Sequence, residues 1–532
     1  MARPNILLIT TDQQRFDTIH AHGYPHMLTE NLDRLAREGC SCVNAYSPNP
    51  VCLPARHNII TGLSAKYHTF DDNYFDDSHQ IPYDLPTFAQ CLSDQGYDTI
   101  AIGKMHFQPY RRHNGFHRLL LMDEIPRFRE DDDYALYLKD HGYEHLQSIH
   151  GVRHMLYMQP QRSLVRDEDH GSSWVASETI KYLENKSKDK PFMIWAGFIA
   201  PHPPFDVPSS YADLYKDRNI PLPLQSKTPL STLAEENKNI ADHPNTETLM
   251  RARELYYSAI SFVDHNVGRI LDKLEEMGEL DNTFIMFTSD HGEMLGDMGT
   301  YQKFLPYDGS SKIPMIIRYP KLVEKNSIKK EFVDLNDIFP TFLDVAGIHY
   351  PGKIQLPGAS ILSNEKDRSY QYIEHQHGAR RWCCIITEEY KYTYYYGGGK
   401  EELYDRIHDP YESENLLYTH KDEYEEVRID LRKKLIELEK RWGLEGCIEN
   451  DDFKVYEDFE INFYREANPP FFPSHLSKEY EREQLWSLEK ELEEAIKEEE
   501  VVDLRKLDQE YFITRNIVSK EKIDEICKRR KQ

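Results

Sequence analysis

The sequence predicts an α/β protein: a large, mostly parallel sheet flanked by helices, with a smaller C-terminal α+β domain containing an antiparallel sheet. Three observations carry this expectation. Apolar, β-prone runs without alternation recur at Asn5 to Thr11, Thr99 to Ile102, Phe192 to Ile199 and Thr283 to Thr288, the pattern of strands covered on both faces. Amphipathic helical stretches separate them, which favours parallel β-α units. Near Arg380 the character changes to short β-prone runs, a glycine turn and a charged helix.

Taken in order, the first run ends on Asp12. The second hands over to Lys104 and His106, the third to His202, and the fourth to Asp290 and His291. Open α/β sheets bind ligands outside the carboxyl ends of their strands, so two acids, a lysine and three histidines are expected at one composite site. Leu255, Ala259, Phe262, Val263, Val267, Ile270, Leu271 and Leu274 recur at helical spacing, and Gly278 supplies the stop. Trp382 to Thr387, Tyr390 to Tyr396 and the turn Gly397 to Gly399 read as hairpins, followed by a helix from about Lys421 to Arg441. The expected division is a catalytic domain over 1–375, a small domain over 376–445 and a charged helical extension over 446–532. Within the extension, Glu479 to Glu500 reads as a solvated helix laid on the body; a subunit contact, and hence a homo-oligomer, is the sharper alternative.

Composition narrows the function. With 65 Lys plus Arg against 91 Asp plus Glu, the net charge is −26, which argues against nucleic-acid and membrane partners. An anionic substrate must therefore meet a local positive cluster. The apolar run at the amino terminus is too short for a signal sequence, and no uninterrupted apolar stretch reaches membrane-spanning length. Eight cysteines without a secretion signal fit reduced thiols and a cytoplasmic location. Cys40 with Cys42, and Cys383 with Cys384, lack a second pair at zinc-finger spacing and are expected to be buried as small apolar side chains.

The most informative segment is Cys52-Leu53-Pro54-Ala55-Arg56-His57-Asn58-Ile59-Ile60-Thr61-Gly62. Pro54 is tolerated just inside a helix start, which places Cys52 at the positive end of a helix, where a nucleophile or bound anion is stabilised. The pattern Cys-x-Pro-x-Arg-x4-Thr-Gly resembles the type I sulfatase family of the alkaline-phosphatase-like superfamily. The likeness extends to Thr29 to Tyr46, Gly103-Lys104-Met105-His106, Pro201-His202-Pro203-Pro204-Phe205, Phe287 to Glu293, and Glu402-Leu403-Tyr404-Asp405 with Asp409-Pro410 and Glu412. It spans residues 4 to 440 and leaves the extension uncovered.

The resemblance implies a sulfuric ester hydrolase in which a maturation enzyme converts Cys52 to formylglycine (3-oxoalanine). Its hydrate would attack sulfur with one hydroxyl and release sulfate through the second, the two-step logic of nucleophilic catalysis. By the same likeness Asp12, Gln13, Cys52, Asp290 and His291 would surround a divalent cation, calcium first; Gln13 stands where the family often carries a second Asp. Arg56, Lys104 and Lys303 would hold sulfate and stabilise developing charge. His106 would be the base for the second hydroxyl, and His202 would bind sulfate and protonate the leaving oxygen.

Two other readings stay open. Some superfamily members with the same cysteine motif, a Gln after the first Asp and no signal sequence hydrolyse phosphonate monoesters or phosphodiesters. Alternatively, Cys52 stays a thiol and the fold serves binding alone. Arg111, Arg112, His375, His377, Arg380 and Arg381 are polar groups that could border the site, with Arg380 the chosen substrate-binding residue for an acidic sugar. A small sulfated sugar is the expected substrate.

Overall fold

The computed structural model describes residues 3–74, 79–124, 129–143, 149–151, 161–163, 165–241, 244–363 and 368–461. Its centre is an eight-stranded sheet of Asn5–Thr11 (β1), Cys40–Cys42 (β2), Asp98–Gly103 (β3), Arg118–Leu121 (β4), Phe192–Gly197 (β5), Thr283–Ser289 (β6), Met315–Arg318 (β7) and Ser327–Lys329 (β8). The spatial order is β8-β2-β7-β6-β1-β5-β3-β4. The five strands from β6 to β4 run parallel, while β7 is antiparallel to β6 and β2. All seven residues of β1 are buried. Alternate β1 side chains enter opposite cores, Ile6 and Leu8 one, Leu7 and Ile9 the other, which is why the strand is apolar without alternation.

Helices cover both faces. Gly171–Asn185 (α3) and the long Thr246–Glu276 (α4) pack on one face through Trp174, Val175, Val263, Val267, Ile270 and Leu274. Cys52–Thr61 (α2) and Ile338–Ala346 (α5) pack on the other through Ile59, Ile60, Phe339 and Phe342. Glu30–Glu38 (α1) borders the sheet beside α4, where Asp264 accepts the Asn31 and Leu32 amide N–H groups.

The small domain is a meander of Gln371–His375 (β9), Trp382–Ile386 (β10), Tyr390–Tyr395 (β11) and Lys400–Asp405 (β12), backed by Glu425–Trp442 (α6). Its first strand lies on the catalytic side of the expected boundary at 375, because β9 belongs to this sheet through pairing with β10 across an intervening turn. The sequence changes character only at Arg380, past the end of this edge strand, so local composition places β9 with the catalytic domain. Lys391 joins the two domains: its Nζ lies 2.9 Å from Asp308 and 2.5 Å from Glu412, both from outside its own strand. Trp382 Nε1 donates to the Phe304 carbonyl at 2.8 Å, so the small domain fixes the loop that carries Lys303.

The stretch Glu479 to Glu500, with its proposed helix and subunit contact, lies outside the described residues. Among those described, no helix is long and apolar enough to cross a membrane, and the cysteines are all free and buried.

Gly103, the last residue of β3, has φ +92°, and a Cβ there would stand 2.0 Å from the Gly197 carbonyl oxygen of β5. Gly103→Ala is expected to cost about 3 kcal/mol or more through strain and clash, read as a lower urea midpoint, and to displace the adjoining Lys104.

Candidate active site

The parallel strands deliver their following residues to one edge. Asp12 follows β1, Lys104 follows β3, Glu124 lies beyond β4, His202 beyond β5, and Asp290 with His291 follows β6. Each is buried, Asp12, Lys104, Asp290 and His291 completely so. Into this edge points the start of α2. Cys52 is its first residue, and the Asn73 side-chain oxygen accepts the Leu53 N–H at 3.0 Å, satisfying an otherwise unpaired helix amide.

Arg56, one turn along α2, ties the strand ends together. Its Nε lies 3.0 Å from Asp290 Oδ2, its Nη2 lies 3.3 Å from Asp12 Oδ2, and its Nη1 donates to the Lys104 carbonyl. Lys104 Nζ pairs with Asp12 and lies 3.3 Å from Glu124. Burial alone would raise the Asp12 carboxyl, but Lys104, His202, Arg56 and Lys303 together hold it well below its usual range.

Around Cys52 Sγ stand His291 Nε2 at 3.2 Å, Lys303 Nζ at 3.0 Å, Asp12 Oδ1 at 3.8 Å and Lys104 Nζ at 4.0 Å. Burial, reinforced by the Asp12 charge and only partly offset by the two lysines, pushes the thiol up to about 12. As an unmodified side chain it is therefore a protonated, poor nucleophile.

The donor set fits a hard divalent cation. His291 Nδ1 lies 3.0 Å from the Gly292 carbonyl; a carbonyl only accepts, so Nδ1 carries the proton and Nε2 presents its lone pair. That lone pair faces Asp12 Oδ1 at 3.7 Å and Asp290 Oδ1 at 3.6 Å. Ligand atoms of Asp12, Cys52, Asp290 and His291 all lie within 4.8 Å of one another. Carboxylate oxygens and an imidazole nitrogen converging in this way are a ligand set that could hold a cation. Gln13, at φ +68°, turns its amide nitrogen to Glu293 and accepts from Lys303 Nζ at 2.9 Å through Oε1. It is neutral, so it adds no charge to the ligand set.

His106, also in the left-handed region at φ +54°, brings a ring nitrogen within 4.8 Å of Cys52 Sγ and a Glu124 oxygen. A side chain in this conformation is held there by its surroundings, as at many functional sites. His202 Nε2 lies 2.8 Å from Glu124 and 3.2 Å from Lys303 Nζ. The structure therefore gathers Asp12, Gln13, Cys52, Arg56, Lys104, His106, His202, Asp290, His291 and Lys303 in one cluster.

Arg380 is placed differently. Its guanidinium pairs with Glu236 and stacks over the Phe459 ring at 4.2 Å. Arg381 is buried between Glu374 and Glu439, Arg111 pairs with Asp133, and Arg112 stacks on Tyr83. His375 meets Asn49, and His377 pairs with Asp71.

Asn73 and Glu124 carry no expectation from the sequence, and Glu293 enters it only as the end of the segment Phe287 to Glu293, without a role. Glu124 follows the apolar run Leu119 to Met122, the same handover that marks Asp12. Its strand spans only four residues and is partly exposed, so the signal was faint.

A mostly parallel sheet with a buried helix-borne cysteine and a cluster of candidate metal ligands at its edge is the architecture of the alkaline-phosphatase-like hydrolases. The chain belongs to the sulfatase family. The family model described as Sulfatase matches residues 4–348, and that described as N-sulphoglucosamine sulphohydrolase, C-terminal, matches residues 296–441. The chain is 35% identical over 466 residues to an arylsulfatase of Clostridium perfringens, covering 82% of this chain and 95% of that protein. It is 28% identical to an N-acetylglucosamine-6-O-sulfatase of Bacteroides thetaiotaomicron, with 83% and 87% covered. Among solved structures it shares its fold with the phosphonate monoester hydrolase of Agrobacterium radiobacter, at a TM-score of 0.71 and 24% identity, with 82% and 96% covered.

Two outcomes are expected. Adding Ca2+ to chelator-treated protein should raise its melting temperature, by about 2.7 kcal/mol of stabilisation at 100 times the dissociation constant, and Asp290→Asn should abolish that rise. In unconverted protein, iodoacetamide at pH 8 should leave Cys52 unlabelled until the chain is unfolded, as peptide mapping reads directly.

Proposed function

We propose that this chain hydrolyses the sulfate ester of a small sugar, using formylglycine derived from Cys52 and a divalent cation, calcium first. The observation that carries the reading is the convergence of Lys303, Lys104 and the Arg56-bound strand ends on the fully buried Cys52 side chain. Formylglycine would supply a hydrated aldehyde as nucleophile, and the cation at Asp12, Asp290 and His291, with Gln13 beside it, would favour its ionised form. Cys52 is fully buried, so the converting enzyme would act before the fold closes.

The chain's own residues perform the remaining work. Lys104 and Lys303 hold sulfate oxygens, and Arg56 keeps Asp12 and Asp290 in place while adding positive potential. These donors are fixed before the reaction and act where water screens little, the condition for strong transition-state stabilisation. His106 takes a proton from the position-52 side chain in the release step. His202 protonates the leaving oxygen. The sugar assignment is supported by the name of the Bacteroides relative and by the match of the C-terminal region to the N-sulphoglucosamine sulphohydrolase description. Substrate recognition by Arg380 would require Glu236 to give up its pairing. A cytoplasmic setting, supported by the free cysteines among the described residues, suits a short saccharide.

A phosphonate monoester or phosphodiester is the second reading. It presents the same single negative charge on a tetrahedral centre, the fold is shared with such a hydrolase, and Gln13 leaves one fewer carboxylate beside the cation. Parallel kcat/KM measurements on host-matured enzyme with 4-nitrophenyl sulfate, a 6-O-sulfated glucosamine and a phenyl phosphonate ester decide between them. The sulfate esters are expected to lead by tens of times; the reverse order would give first place to phosphorus. Lys303→Ala should lower kcat/KM on the preferred ester by about 100- to 1,000-fold. Mass spectrometry showing only thiol at Cys52 in protein from the native host would remove the catalytic reading.

A further inference from the structure

We propose that Glu124 is a positioning residue that shares one proton with His202, and that this pair, rather than His202 alone, is the acid for the leaving oxygen. The inference rests on the sulfate-ester reading above and adds a residue to it. Its basis is the hydrogen-bond arithmetic around one imidazole.

His202 Nδ1 lies 2.6 Å from the Pro203 carbonyl oxygen. That oxygen can only accept, so Nδ1 bears a hydrogen and its direction is fixed. Nε2 therefore either carries a second proton or presents a lone pair. It lies 2.8 Å from Glu124 Oε2, a distance at which an imidazole lone pair and a bare carboxylate would repel. One proton must occupy that contact. Glu124 Oε1 faces Lys104 at 3.3 Å, so the carboxylate is held from both ends and cannot swing away cheaply.

The groups facing His202 are Glu124, Lys303 at 3.2 Å and, through space, Asp12. Burial pushes the imidazole down to about 4, with Lys303 adding to the effect and Glu124 and Asp12 opposing it. A buried histidine beside a lysine is a poor proton store on its own. A carboxylate against Nε2 corrects this, because the proton then belongs to the pair. The two residues also border a cavity of about 30 Å³, room for a water that could return the proton after turnover.

The step balances. As the bond from sulfur to the ester oxygen breaks, its electron pair stays on that oxygen. The proton of the pair moves through Nε2 to the same atom, giving the free alcohol. His202 is left with Nδ1–H on Pro203 and Glu124 as carboxylate, until solvent restores the proton.

An acid matters most when the leaving alcohol is a poor leaving group. Host-matured wild type, Glu124→Gln, His202→Gln and the double variant would be compared on a 6-O-sulfated glucosamine and on 4-nitrophenyl sulfate. Glu124→Gln is expected to slow both, and to slow the sugar sulfate about 30-fold more. The double variant should show no larger sugar-to-aryl discrimination than either single, as for groups acting as a unit. Equal losses on the two esters in Glu124→Gln, or multiplicative discrimination in the double variant, would overturn the pairing. Wild type inert to both sulfates would instead remove the underlying reading. A second measurement needs no catalysis: in unconverted 15N-histidine protein, with the resonance assigned by His202→Gln, Glu124→Gln should move the His202 Nε2 signal towards that of an unprotonated acceptor. An unmoved signal would count against the shared proton.

Discussion

The structure turns on charge buried at the carboxyl edge of the central sheet. Asp12, Asp290 and Glu124 face Arg56, Lys104 and Lys303, all with 0–3% exposure. An ion in such a place costs several kcal/mol if it loses its partner, so each strand end constrains the others. Arg56 is the hinge of this arrangement, since it reaches Asp12, Asp290 and the Lys104 backbone from a single helix position.

With the three carboxylates matched by three cations, a divalent ion held there would leave the site net positive. That is how a body of charge −26 can receive an anion: the attraction is local and short-ranged, while the surrounding surface repels extended polyanions. Cys52, as a thiol, is driven towards its neutral form by burial first and by the Asp12 charge second, against the pull of Lys104 and Lys303. Enclosed in this way, the unmodified sulfur is a poor nucleophile.

The small domain contributes by holding a loop rather than by lining the cluster itself. Lys391 grips Asp308, Glu412 accepts the Asp308 amide, and Trp382 binds the Phe304 carbonyl. These contacts brace the segment from Gln302 to Asp308, in which Gln302 and Phe304 both have positive φ. Loss of the small domain would thus be felt at Lys303 before anywhere else in the site.

By itself the sequence determined the long buried strands, because a strand covered on both faces must be apolar throughout, and it marked Asp12, Lys104, Asp290 and His291 by the abrupt polar handover that follows. The cysteine motif was legible because its residues sit on one helix, where spacing alone sets the geometry. The short strands β2, β7 and β8 left little pattern, and β9 was separated from its sheet because pairing partners are not written in local composition. Only the tertiary structure decided that Arg56 meets Asp290 across 234 positions, that Arg380 turns to Glu236, and that Glu124 stands against His202. Those contacts depend on which strand ends become neighbours when the sheet closes, and one-dimensional spacing carries no record of that adjacency.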